Sequence, residues 1–163
     1  MSNYFNTYKL SDGSIANVLI MDTAGEEKYK ALNSLYYKKA DCCLLVYDIT
    51  NFHSFEEIKE YFNYEIKEKC KKNIKIMLLG NKTDIEDQRQ VSSEEGASLA
   101  LVNDYIFMET SCLKNTGVAD AFETLIELAN IEARKNTNIK AYKIGNLSLN
   151  KNNKRRKKKN IYC

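Results

Sequence analysis

An α/β fold built on a doubly wound sheet is predicted by three features of this sequence. Short apolar runs alternate with amphipathic stretches over most of its length. Two of those runs, 42–48 and 74–79, are apolar almost without interruption, as suits parallel strands covered on both faces. Helix-starting patterns, Ser54-x-x-Glu57 and Ser92-x-x-Glu95, stand at the head of two of the intervening segments.

The elements follow in order. Residues 4–10 alternate in polarity, Asp12-Gly13 supplies a turn, and 15–21 place Val18 and Ile20 on one face, which predicts a hairpin. A polar helix is expected to run from beyond Gly25 to Tyr37, before the buried strand 42–48. The Ser54 capping box opens a helix burying Ile58, Phe62 and Ile66 at fourfold spacing, and the strand 74–79 comes next. The Ser92 box opens a helix to about Val102, and 105–108 make a short strand. Val118, Phe122, Leu125, Ile126 and Ala129 then stripe a last helix. Beyond Lys135 the apolar period fades into Asn and Lys, so 1–135 is expected to be the folded domain and 136–163 a flexible basic tail.

Composition narrows the function. A chain of 163 residues, 44% apolar and 10% aromatic, can bury one core. No run is long enough to span a bilayer and the N-terminus lacks the character of a signal peptide, so residence on the cytosolic side is expected. Five cysteines without a CxxC pair, and a single histidine, fit free thiols better than disulfides or a metal site. Seven basic residues and no acid fall within 151–159, which turns a net charge of +3 into a mildly acidic body with a strongly basic end. That asymmetry favours contact between the tail and an anionic membrane surface. Nucleic-acid binding by the body is not expected, because no strand combines basic and aromatic residues.

Ligands in open α/β sheets bind beyond the carboxyl ends of the strands, and three short motifs fall at such ends. Asp22-x-x-Gly25 offers a carboxylate that can hold magnesium through water and a glycine that lets a backbone N–H approach a phosphate. In Asn81-Lys82-Thr83-Asp84, the Asp84 carboxylate can accept both the ring N–H and the exocyclic amine of guanine, a donor pair that adenine lacks. Asn81 would brace that loop and the Lys82 stem would cover one face of the base. Glu109-Thr110-Ser111-Cys112 combines small residues whose backbone N–H groups can turn towards a base carbonyl. Singly each motif is an ordinary turn; it is their order and placement that point to guanine.

Over residues 4–135 the chain resembles the Ras-like small GTPases through these three segments. It is similar to the Rab group in particular through Tyr36-Tyr37-Lys38-Lys39-Ala40 and Leu45-Val46-Tyr47-Asp48-Ile49-Thr50. The resemblance implies a P-loop-NTPase-like sheet and a GTPase switch of vesicle-mediated transport that uses GTP, GDP and Mg2+. It assigns guanine nucleotide to Asp22, Gly25, Asn81, Lys82, Asp84, Ser111, Cys112 and Leu113, magnesium to Asp22, and the hydrolytic position to Glu26. Implied partners are exchange factors, GTPase-activating proteins, GDP dissociation inhibitor and effectors, acting on a monomer at the cytosolic face of endomembranes.

The sequence also departs from that family. These residues contain no Gly-x-x-x-x-Gly-Lys-Ser/Thr loop, and the family's first strand and first helix have no counterpart. We therefore expect an N-terminally incomplete Rab whose sheet has two facing unpaired edges and which does not bind magnesium–GTP tightly. Glu26 stands where the family has a water-positioning glutamine, Met21 where it has tryptophan, and Cys112-Leu113 where Ala-Lys is usual. The terminal Cys163 after the basic run 154–159 suggests a lipid anchor assisted by charge, with a solvated tail or a nuclear-import signal as alternatives. A nucleotide-binding-deficient interaction module that sequesters Rab partners is the competing reading of the whole.

Overall fold

A computed structural model describes residues 2–22, 37–144 and 158–162, with side chains described as far as Lys135. Six strands form one sheet in the order β1-β2-β6-β3-β4-β5. They are β1 (Ser2–Lys9), β2 (Ile15–Asp22), β3 (Cys42–Asp48), β4 (Lys75–Asn81), β5 (Ile106–Glu109) and β6 (Lys158–Tyr162). β1 alone runs antiparallel; the carboxyl ends of the others share one edge of the sheet.

The predicted hairpin is present, with Asn6 opposite Val18 and Lys9 opposite Ile15. Its turn closes through Gly13 N–H donating to Leu10 O at 2.9 Å and Ser14 N–H donating to Asp12 Oδ1 at 2.9 Å. Gly13 has φ +78°, a left-handed conformation that glycine adopts without strain. Asp12 is also ion-paired with Arg134, which fastens the turn to the last helix.

The two-residue period of the strands sorts the core into two layers. Val18, Cys42, Leu44, Met77 and Leu79 point to one face and pack against Ala121, Leu125, Ile126 and Ala129 of α4 (Val118–Ile144). Cys43, Leu45, Tyr47, Ile76 and Leu78 point to the other. There they meet Phe55 of α1 (Phe52–Glu57), Ile66 of α2 (Asn63–Lys69) and Ala100 of α3 (Ser93–Asn103). α1 and α2 are joined by a single π-helical stretch, Ile58–Phe62, that keeps the helix continuous.

The two capping boxes fare differently. Ser92 Oγ accepts from Glu95 N–H at 3.2 Å and Glu95 Oε2 accepts from Ser92 N–H at 2.8 Å, completing the reciprocal box of α3. At the earlier site the cap is Asn51, not Ser54: its side chain accepts from the N–H groups of His53 and Ser54, and α1 begins at Phe52. Ser54 Oγ is drawn instead to the strand end, accepting from Asp48 N–H at 3.0 Å. An Asn three residues earlier outcompetes the serine because it also closes the turn that leaves β3.

The tail differs from expectation in two stretches. α4 continues to Ile144, since no Gly or Pro interrupts it before Gly145 and elongating a helix costs far less than starting one. Lys158–Tyr162 is not loose but inserted in the middle of the sheet, parallel to both neighbours. Asn17 to Met21 of β2 pair with Lys158 to Tyr162, and Cys42 and Cys43 of β3 pair with Ile161 and Tyr162. The expected pair of empty facing edges is therefore bridged in part, along β2 from Asn17 to Met21 but on β3 only at Cys42 and Cys43. The cause is the cost of buried unpaired backbone groups, about 1–3 kcal/mol each, which any extended segment can relieve whatever its side chains.

Candidate nucleotide site at the strand ends

β3, β4 and β5 end side by side, and their next residues build a pair of interlocked loops. Gly80 O accepts from Thr110 N–H at 2.8 Å, and Thr110 O accepts from both the N–H and the hydroxyl of Thr83 at 3.2 Å. Asn81 Oδ1 accepts from the Cys112 N–H at 3.2 Å and the Thr110 hydroxyl at 3.3 Å, which ties the β4 loop to the β5 loop. Asn81 thus has the bracing geometry expected of it.

Ser111 is buried and donates its hydroxyl to Asp84 Oδ1 at 2.5 Å, while its Oγ accepts from Lys114 N–H at 3.0 Å. One carboxylate oxygen of Asp84 is therefore fixed by the neighbouring loop, which orients the other. Beyond it, Ser111 and Thr116 exchange backbone bonds at 3.0 and 2.9 Å. The chain then turns at Gly117, φ +73°, where a Cβ would lie 2.9 Å from Glu109 O.

Lys82 sits in the left-handed region at φ 73°, a conformation that costs a non-glycine residue about 1 kcal/mol or more. Its Nζ reaches Asp48 Oδ2 at 2.6 Å, and Asp48 Oδ1 accepts from the N–H and hydroxyl of Thr50 at 2.9 and 2.7 Å. Burial alone would raise the Asp48 carboxyl, but the bonds from Lys82 and Thr50 outweigh it and hold it below its ordinary value. The same contact raises the Lys82 ammonium.

Arg89 supports both loops from beneath. All five of its N–H groups are engaged: Nε and Nη2 with Glu86, Nη1 and Nη2 with Glu109, and Nη1 with Val91 O. Glu86 lies in the 3-10 helix Thr83–Gln88 that follows Lys82, and Glu109 ends β5. The guanidinium consequently bridges the two loops and has its pKa raised, first by Glu86 and then by Glu109.

The predicted residues divide accordingly. Asn81, Lys82, Asp84, Ser111 and Cys112 are brought together; Leu113 is adjacent and 83% exposed, available to pack against a flat ligand. Asp22 ends β2 on the same edge of the sheet, separated from β3 by β6. Gly25, Glu26, the helix expected up to Tyr37, and Cys163 lie outside the described residues. Sequence reasoning missed Asp48 and Arg89. Asp48 could have been found as a carboxylate at a strand end, whereas nothing local marks Arg89.

The Ras family model matches residues 2–131. The chain is 44% identical over 141 residues to the Ras-related protein RABA5b of Arabidopsis thaliana, covering 86% of this chain and 64% of that protein. It is 44% identical over 118 residues to Rab11D of Nicotiana tabacum, covering 72% and 53%. Against Rab-8A of Bos taurus it is 44% identical over 114 residues, covering 70% and 55%. The chain thus spans little more than half to just under two thirds of the length of these relatives.

Proposed function

This chain belongs to the Ras family and is Rab-like within it, and from that premise we propose that its strand-end loops read guanine nucleotide as part of a switch in vesicle-mediated transport. The observation that carries the reading is Asp84, oriented by Ser111 across the junction of the β4 and β5 loops. Its carboxylate accepts the ring N–H and exocyclic amine of guanine. Asn81 Oδ1 and Ser111 Oγ hold the Cys112 and Lys114 N–H groups and so fix the β5 loop beside the base, and the Lys82 stem and Leu113 flank the ring. This half of the site fits GDP and GTP.

The phosphate half is supported by fewer residues. Asp22 would hold Mg2+ through water, Gly25 would let a backbone N–H approach the terminal phosphate, and Glu26 takes the hydrolytic position. When bound, the ion would neutralise charge on the phosphates. Exchange factors, GTPase-activating proteins, GDP dissociation inhibitor and effectors are the corresponding partners, at the cytosolic face of endomembranes. No described helix is long and apolar enough to cross a membrane. Membrane attachment would therefore use the tail, with Cys163 as the lipidated residue.

Displacement of a fluorescent GDP from residues 1–163 tests the reading. GDP, GTP and guanosine should compete within about tenfold of one another, because most backbone donors to phosphate in this family come from the glycine-rich loop these residues do not contain. ATP should compete poorly. Asp84→Asn should erase the preference for guanine by about 5–150-fold, the equivalent of 1–3 kcal/mol for mispaired buried polar groups. Absence of binding, equal competition by ATP, or unchanged selectivity in the variant would each overturn the assignment.

A further inference from the structure

The Lys82 ammonium stands between two carboxylates. Asp48 Oδ2 holds it at 2.6 Å, and Asp84, two residues further along the same loop, is the carboxylate assigned to guanine. Asp48 raises the Lys82 pKa first, through its hydrogen bond and its charge, and the Asp84 charge raises it further, so the ammonium feels both groups. The left-handed backbone at Lys82 and the bond from Ile49 N–H to Asn81 O at 3.0 Å set where the side chain leaves the loop, beside the end of β3. Asp48 is itself held on three sides. Its Oδ1 accepts from the N–H and hydroxyl of Thr50 at 2.9 and 2.7 Å, and its own N–H is taken by Ser54 Oγ at 3.0 Å. The Asp48 side chain is 21% exposed against 50% for Lys82. A flexible, half-exposed cation is thus tied to a carboxylate whose free oxygen is aimed by residues outside the nucleotide site.

We propose that Asp48 is a positioning residue of the base site: it holds the Lys82 ammonium away from Asp84, which leaves the guanine-reading carboxylate open and lays the lysine stem along the face of the base. This inference rests on the guanine reading above and goes beyond it, because it gives Asp48 and Thr50, which touch no nucleotide in that reading, a share of the affinity. One oxygen of Asp84 is already engaged by Ser111. An ammonium settled on the other would satisfy the carboxylate that has to accept two N–H groups from the base, and guanine would then have to displace it. Fixing a long side chain before binding also removes the cost of ordering it at the moment of binding. Both effects act on the base and neither acts on the phosphates.

Guanosine displacing a fluorescent GDP from the full chain tests the assignment. Asp48→Asn keeps an oxygen for the two Thr50 bonds but loses the charge that holds Lys82. Guanosine affinity should fall by about 2–12-fold, the range for immobilising one long side chain on binding, with the ratio of GDP to guanosine affinity unchanged. Lys82→Met keeps an unbranched stem without the ammonium. In the Lys82→Met background Asp48→Asn should cost nothing further, whereas a role of Asp48 in loop structure alone would cost the same with or without the lysine. Thr50→Val removes one of the bonds on Asp48 and should show the same dependence on Lys82 at smaller amplitude; it decides the matter if Asp48→Asn does not fold. Equal losses in the two backgrounds, or a loss confined to GDP, would overturn this proposal and leave the guanine reading standing. A parent chain that binds no guanine nucleotide would overturn both.

Discussion

Replacing Gly96 by alanine opposes helix propensity to packing, and the structure gives the sign. Gly96 is the fourth residue of α3, where alanine is favoured over glycine by about 0.5–1 kcal/mol. The added Cβ would lie 2.4 Å from the Tyr47 hydroxyl oxygen and 2.6 and 2.7 Å from two carbons of the Phe107 ring. Neither ring has an easy retreat. Tyr47 is fully buried, packs against Phe55 with ring centroids 5.0 Å apart and the planes tilted by 58°, and lies against Gly80, where a Cβ would itself come within 2.9 Å of the hydroxyl. Overpacking of this kind costs about 1–3 kcal/mol, and three contacts this short place it in the upper half of that range. The expected net effect is destabilisation by about 1–2 kcal/mol. With a urea slope of about 2 kcal/mol per molar, the midpoint should fall by roughly 0.5–1 M at unchanged slope. The Tyr47 hydroxyl has no hydrogen-bond partner among the described residues, and burial pushes its pKa up to about 12. Tyr47→Phe alone should therefore be neutral or stabilising by up to about 1 kcal/mol. Combined with Gly96→Ala it should recover part of the loss, a coupling of about 0.5–1 kcal/mol. A raised midpoint in Gly96→Ala would mean that these contacts do not confine the ring.

Three further outcomes follow from the site. Arg89→Met should cost about 2–3 kcal/mol in urea denaturation, mostly through Glu109, because the Glu86 arm is exposed and contributes little; guanine-nucleotide affinity should drop with it as the two loops part. The Asp48–Lys82 contact lowers one pKa and raises the other, so its stabilisation is present between the two unfolded values, about 3.9 and about 10.4. It should be lost as pH falls through the lower folded value of Asp48 or rises through the higher folded value of Lys82. The difference in urea midpoint between the parent and Asp48→Asn should be flat between those limits and shrink beyond them. In a Cys163→Ser background, a thiol reagent at pH 8 should modify Cys112, which is exposed, well before Cys42 and Cys43, which are buried. Cys70, with its thiol pushed up to about 11 by burial, holds only about one thiolate in a thousand at that pH and should lag far behind Cys112.

Alternating polarity determined the hairpin, continuous apolar runs the strands β3 and β4, and a capping pattern α3, because each depends on local spacing: Ser92 and Glu95 need only each other. The strand-end rule likewise put Asn81, Asp84 and Ser111 side by side before any coordinates, since parallel strands must deliver their carboxyl ends to one edge. What lay beyond local pattern was decided by contacts distant in the chain. Ser54 lost its capping role to Asn51 because the end of β3 claimed its hydroxyl. Arg89 became the support of both loops because two carboxylates, one near and one twenty residues on, converge on it. Lys158–Tyr162 carries no strand signal in its side chains and forms a strand nonetheless, because the facing edges of β2 and β3 offer backbone partners that composition cannot reveal. Side-chain period is written in the sequence; the demand of a buried backbone group for a partner arises only once the sheet exists.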